Sequence, residues 1–344
     1  MGIEFHFIKG LELNRGFYHE IVKPLMDKNF PGLEYSAALL GYGSDVLGMD
    51  TETSMDHNWG PRMQIFVDDK ETTDLIDELL QNELPFEYRG FPVNFSDPGY
   101  DKTQRMEKTD RKPIRHLIEI DRFEDYLKNR YSVHKTGNFS LQDWLSFKDQ
   151  QLIEITSGEV FHDGLGKLNQ TRAELAFYPP DIWKLRMAVL WHYIWNKEAF
   201  TGRAVSTDDF IGLKIITGRL VNYLLKILFY LEKKYIPYSK WFGSAFKNLK
   251  VFNEAGILAA DILSENEPKL IEEKLCLLYM FVVEKHNAVA ELPHLNNAIR
   301  DFFGRPYKVI FAENIIEEIR NSIVDEGVKN TDLRTYAHDI IIDE

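Results

Sequence analysis

The run Tyr178-Pro179-Pro180-Asp181 constrains this chain most, because two prolines forbid helix continuation while the aspartate behind them can cap a new helix. The texture differs on its two sides. From about Leu11 to Asp163, short apolar or alternating runs bounded by Gly, Pro, Asn and Asp mix with helical segments, which is the pattern of an α+β fold. Strands are expected at Ala37-Leu40, Met63-Val67, Leu117-Ile120 and Glu159-Phe161. A helix is expected over Asp68 to Gln81, with Leu75, Ile76, Leu79 and Leu80 on its apolar face and Thr72 or Thr73 near its start. Beyond the prolines, Ile182 to Trp195, Asp208 to Lys234, Glu267 to Glu284 and Ala312 to Val324 carry apolar residues at helical spacing, as in a helix bundle. The expected division is an α+β domain over residues 1–180 and an all-α helical-bundle domain over residues 181–344, in keeping with a chain longer than one typical domain.

Charge narrows the partners. The formal net charge is −13, so a polyanion meets a repulsive field, and the densest basic groupings (Lys108 to Arg115, Lys233-Lys234) are short enough to be solvated faces. Nucleic acid is therefore not the expected partner. The single cysteine, Cys276, lies in an apolar run and reads as a core residue; it excludes an internal disulfide and a cysteine metal cluster. His57, His116, His162 and His192 have no zinc-binding spacing. The start of the chain lacks a signal pattern and no apolar run reaches the roughly 18 residues of a membrane span, so the expected location is cytoplasmic, with no membrane partner.

Chemistry concentrates between residues 41 and 58. The apolar run Ala37-Ala38-Leu39-Leu40 leads into Gly41-Tyr42-Gly43-Ser44, where small residues let the main chain and the Ser44 hydroxyl approach phosphate oxygens. Gly48 and a polar turn follow, then Asp56-His57-Asn58. Asp56 and Asn58 share one face if the backbone is extended, giving two oxygen ligands that point the same way. The alternative is a hairpin in which the glycines turn the chain and Asp56 and Asn58 accept local backbone hydrogen bonds. A third acidic group is expected on the strand-like run Arg115 to Asp121, where Glu119 and Asp121 lie on one face. An edge strand with a wet face would explain the same pair.

These residues resemble a known family. Gly43-Ser44, Gly48 and Asp56-His57-Asn58 are similar to the Gly-Ser and Asp-x-Asp signature of the polymerase-beta-like nucleotidyltransferase superfamily. Over Leu13 to about Leu249 the chain resembles an uncharacterised predicted nucleotidyltransferase family with a C-terminal helical domain. The landmarks are Asp56 to Arg62, Gly158 to Gly164, Glu198 to Arg203 and Tyr238 to Gly243. The resemblance implies a nucleotidyltransferase-type mixed sheet with flanking helices. It also implies a metal site of Asp56, Asn58 and Glu119 for Mg²⁺ or Mn²⁺, and a nucleoside triphosphate as substrate or ligand. The implied reaction moves a nucleoside monophosphate to the hydroxyl or amine of a small-molecule acceptor. Cations for the triphosphate are expected at Arg62, Arg203, Arg219 and Lys240, each of which also reads as a structural ion pair. Glu198 either orients the acceptor or pairs with Arg203. Tyr238, Trp241 and Phe242 read as core packing before they read as a base-stacking platform. The sequence departs from the superfamily at Asn58, where a second aspartate is usual. The change removes one negative charge from a cation site and implies an alternative, a catalytically impaired nucleotide-binding or interaction module.

Overall fold

The computed structural model describes residues 6–336. The chain divides into two compact units, one comprising Met1–Phe139 with Gln151–Ala176 and the other Ser140–Gln150 with Phe177–Glu344.

In the first unit, β1 (Ser36–Leu39), β2 (Arg62–Phe66), β3 (Leu117–Asp121) and β4 (Glu159–Asp163) form a mixed sheet in the order β3-β2-β1-β4. β1 is antiparallel to both of its neighbours. β2 and β3 are parallel, with Arg62, Gln64 and Phe66 opposite Leu117, Glu119 and Asp121. A parallel pair requires a crossover, and the chain between these strands contains a helix. Calling Gly10–Phe17 α1, this crossover helix is α2 (Lys70–Glu83), capped by Asp69, whose carboxylate accepts the Thr72 amide at 2.8 Å. One face of the sheet is closed by these two helices: Leu13 and Phe17 of α1 and Ile76 and Leu80 of α2 share a core with Met63, Ile65 and Ile118. Each such side chain contributes roughly 1.5–3 kcal/mol by leaving water. The opposite face carries Phe66, whose ring lies 5.0 Å from Phe123 and 5.2 Å from Tyr126 of α3 (Phe123–Tyr131). Arg62 and Gln64 share that face, because alternate strand residues point the same way.

The second unit is built on α4 (Pro180–Trp195), α5 (Phe210–Leu231), α6 (Pro268–Asn287) and α7 (Ala312–Asn321). α4 is buried along nearly its whole circumference, as its mostly apolar sequence requires. Arg186 is fully buried within it, donating to Asp149 at 2.5 Å and to the Tyr230 hydroxyl at 2.9 Å. The same carboxylate accepts the Tyr230 hydroxyl at 2.7 Å and the Ile236 amide at 3.2 Å. A buried guanidinium without a carboxylate is strongly unfavourable, and this is why Ser140–Gln150, expected with the front half, belongs to the second unit.

The expected all-α character of this half needs a correction. β5 (Arg300–Phe302) and β6 (Arg305–Val309) form an antiparallel hairpin, turned by Phe303 at φ +47° and Gly304 at φ +74°. Cys276 is buried as expected, and burial pushes its thiol up to about 12. Among the described residues no helix is long and apolar enough to cross a membrane.

Candidate functional site

The chain leaves β1 through a turn that only glycine permits. Gly41 has φ +84° and Gly43 φ +128°, and a Cβ on Gly43 would meet Asp45 Oδ1 at 2.2 Å and Arg62 Nη2 at 2.4 Å. Those two groups form a closed ion pair, with Nη2 to Oδ1 at 2.7 Å and Nε to Oδ2 at 3.2 Å; Nη2 also donates to the Tyr42 carbonyl at 2.9 Å. Burial pulls the Arg62 guanidinium down, and Asp45 more than offsets it, leaving it above its ordinary value. Arg62, expected to face a triphosphate, is thus spent on holding the turn in place, the structural role also open to it. Ser44 follows, half-buried. Among the described residues the amides of Gly43 and Ser44 have no hydrogen-bond partner.

Asp56 and Asn58 do not share a face in the expected way, because the backbone between them is not extended throughout. Asp56 ends a 3₁₀ turn, Glu52–Asp56, and Asn58 sits at φ +48°, a conformation asparagine tolerates better than most residues. The Asp56 carboxylate accepts the His57 amide at 3.0 Å and lies 2.9 Å from His57 Nδ1. The Asn58 amide oxygen accepts the Gln104 amide at 2.9 Å while the Asn58 amide donates to the Gln104 carbonyl at 2.7 Å. The Asp56 bond is local, as the turn reading expects, whereas the Asn58 pair reaches across to Gln104, 46 residues further along the chain.

Glu119 lies elsewhere, on β3 opposite Gln64, with one oxygen 3.4 Å from Arg130 Nη1. Each of the three donors named for a divalent cation is therefore engaged separately. Among the described residues, no group of three or more His, Cys, Asp or Glu side chains is placed to hold a metal ion. The Asp56, Asn58 and Glu119 set does not fit as a cation site in this arrangement.

A cavity of about 270 Å³ opens on the sheet face that carries Arg62 and Gln64. Tyr42, Arg62, Gln64, Glu119 and Arg130 line it together with His116 and two apolar residues of β3. Gln64 is buried and its Oε1 accepts the Leu40 amide at 2.9 Å, which leaves its Nε2 as a donor. The His116 ring is also buried; Nδ1 accepts the Ile118 amide at 3.2 Å, and Nε2 lies 3.3 Å from Asp77, whose carboxyl His116 holds below its ordinary value. Between the two acidic residues expected on β3, Glu119 is the one in the cavity. Asp121 is raised by burial, accepts the Arg122 amide at 2.8 Å and feels Asp125, Arg122 and Lys70. Arg130, which the sequence reading passes over, stands near the end of α3 with its guanidinium 4.7 Å from the Tyr42 ring centre and 5.5 Å from that of Tyr126. Its signal was its place as a cation in the last turn of a helix, too common a feature to single out.

The remaining expected cations are in the second unit. Arg203 and Arg219 are exposed on helical segments, and exposed Lys240 lies over the Trp241 ring at 5.2 Å. Glu198 does not pair with Arg203. It is 2% exposed and accepts the amides of Ile310, Phe311 and Ala312 at 3.0, 3.1 and 3.1 Å, at the start of α7. This carboxylate satisfies helix-end donors that would otherwise be buried without a partner. Burial pushes its carboxyl up to about 7 against the pull of those amides. Phe242 packs on Phe229 and Phe246, in line with its reading as core.

Residues 144–242 match a family described as a domain of unknown function (DUF4037). The match takes in the strings Gly158 to Gly164 and Glu198 to Arg203 and begins well after the segment that carries Gly43, Asp56 and Asn58. No curated protein matches the chain.

Proposed function

We propose that the first unit binds a nucleoside triphosphate at the cavity beside the Gly41–Ser44 turn, as a protein of the nucleotidyltransferase type. One observation carries the reading: Tyr42 of that turn and Glu119 of β3, distant in sequence and drawn from the glycine turn of the resemblance and the strand expected to supply its third carboxylate, line one cavity. The reaction we propose is transfer of the nucleoside monophosphate; Mg²⁺ or Mn²⁺ is proposed on the resemblance alone, arriving with the triphosphate and not held by the Asp56, Asn58 and Glu119 set. An acceptor oxygen or nitrogen bonds to the α-phosphorus as its proton passes to water, the bond to the bridging oxygen breaks, and pyrophosphate leaves with that electron pair. Arg203, Arg219 and Lys240 are proposed as further triphosphate cations on the resemblance alone.

A second reading, binding without turnover, is favoured by Asn58, which is neutral and holds the Gln104 backbone. Incubation with each nucleoside triphosphate, Mg²⁺ or Mn²⁺ and a panel of small alcohols and amines, followed by pyrophosphate release and acceptor mass shift, separates the two. Turnover by the natural chain supports transfer. Nucleotide binding with turnover only after Asn58→Asp supports the second reading, and the absence of any nucleotide binding overturns both.

A further inference from the structure

We propose that Arg130 is the oligophosphate-binding group of the first unit's cavity and that Glu119 is its stand-in counter-ion, displaced when the phosphate chain enters. The inference rests on the nucleotide reading only for what the phosphate is attached to. Of the two guanidiniums lining the cavity, Arg62 has no capacity left: it is 2% exposed, bound twice by Asp45 and once by the Tyr42 carbonyl. Arg130 differs on each count. Its side chain is 26% exposed, and its carboxylate contact with Glu119 spans 3.4 Å, longer than the roughly 2.7–2.9 Å of a full charge-assisted bond.

The surroundings are those of an anion site. Tyr42 and Tyr126 lie against the guanidinium and hold its plane without taking its donors. The Gly41 turn packs onto the same group: a Cβ on Gly41 would lie 3.7 Å from Arg130 Cζ and 2.9 Å from the Tyr126 hydroxyl. Gln64 Nε2 adds a buried donor, and the amides of Gly43 and Ser44 have no partner among the described residues. A phosphate chain and a carboxylate offer a guanidinium the same paired oxygens, so exchanging one for the other creates no unpaired buried charge. Glu119, 43% exposed, passes to water on release. A space of about 270 Å³ suits the phosphate chain more closely than a whole nucleotide, which places selectivity on phosphates and leaves the base outside.

The test titrates the full chain calorimetrically with inorganic tripolyphosphate in the presence of EDTA, so that no metal contributes. Arg130→Gln is expected to weaken binding at least tenfold and Arg130→Lys by less, since lysine keeps the charge and loses the fork. Glu119→Gln is expected to tighten binding severalfold, because the competing carboxylate is gone. That gain, opposite to the loss expected of a residue that only supports the fold, keeps the inference testable even if Arg130→Gln melts early. Weaker binding in Glu119→Gln, unchanged binding in Arg130→Gln, or no tripolyphosphate binding by the natural chain overturns it. If tripolyphosphate follows this pattern while nucleoside triphosphates fail to compete for the site, the phosphate site stands and the nucleotide reading falls. If nucleoside triphosphates bind indifferently to Arg130, the reverse holds.

Discussion

Arg62 and Arg130 line the same cavity and lie over the same Tyr42 ring, at 5.2 and 4.7 Å, yet they are in opposite electrostatic states. Arg62 has traded water for a bidentate carboxylate and a carbonyl, whereas Arg130 keeps a loose carboxylate and a route to solvent. Residue type does not separate them. What separates them is whether the partner acid is buried with the base: Asp45 is 1% exposed and Glu119 43%. A closed buried pair shapes a site, and an open one can exchange its anion.

The largest expected effect breaks the closed pair. Asp45→Ala leaves a charged guanidinium buried against the Gly43 turn and is expected to cost about 3–5 kcal/mol, read from denaturant unfolding. Glu119→Ala, applied to the open pair, should leave the midpoint in place. Equal destabilisation by the two substitutions would remove the distinction between them.

Next comes Glu198, an acid buried in the second unit that has no cationic partner among the described residues. Its carboxyl stands near 7 in the fold, pushed up by burial, against an ordinary value of 4.5. Between those values the folded chain holds a proton that the unfolded chain releases. Its stability contribution is therefore greatest below about pH 4.5, falls as pH rises toward 7, and is level above. The change is on the order of 1–3 kcal/mol, and Glu198→Gln should flatten the pH dependence of stability over that window. An unaltered profile in the variant would show that the three amides hold the carboxylate charged throughout.

A smaller loss is expected at Asn58. Removing its oxygen by Asn58→Ala leaves the Gln104 amide without its acceptor and asks alanine to adopt φ +48°, for about 1–2 kcal/mol in all. Asn58→Asp keeps the acceptor and should melt close to the natural chain. If Asn58→Asp is as damaging as Asn58→Ala, the amide nitrogen matters and the position is not an altered ligand.

Legibility in the sequence followed the range of the interactions. Met63-Val67 and Leu117-Ile120 were readable because strand propensity is local, and they emerge as Arg62–Phe66 and Leu117–Asp121. The crossover helix was readable too, although its cap is Asp69, with Thr72 donating to it. The Arg300–Val309 hairpin escaped because its strands are short and its Phe303-Gly304 turn lacks the Asn-Gly or Asp-Gly pair that marks such turns. Long-range polar partnerships left no trace in spacing. Asp45 with Arg62, Asp149 with Arg186, and Glu198 with the amides of residues 310–312 are known only once the fold has brought them together.

The comparison extends with the smallest expected effect to Arg203, Arg219 and Lys240, more exposed than Arg130 and lacking its setting. Their charges sit in solvent and are screened within about 8–10 Å at ordinary ionic strength, so binding requires direct contact with the ligand. Alanine at each should leave the melting temperature unchanged. On binding, the three differ from Arg130 in having no aromatic plane and counter-carboxylate that together prepare an anion site; Lys240, over Trp241, has only the ring. A single substitution is therefore expected to lower nucleoside triphosphate affinity by no more than about threefold, as for a screened surface charge. A tenfold loss at any one of them would mean that the triphosphate reaches that cation directly, and that preparation by neighbouring groups is not what marks a phosphate-binding guanidinium or ammonium in this chain.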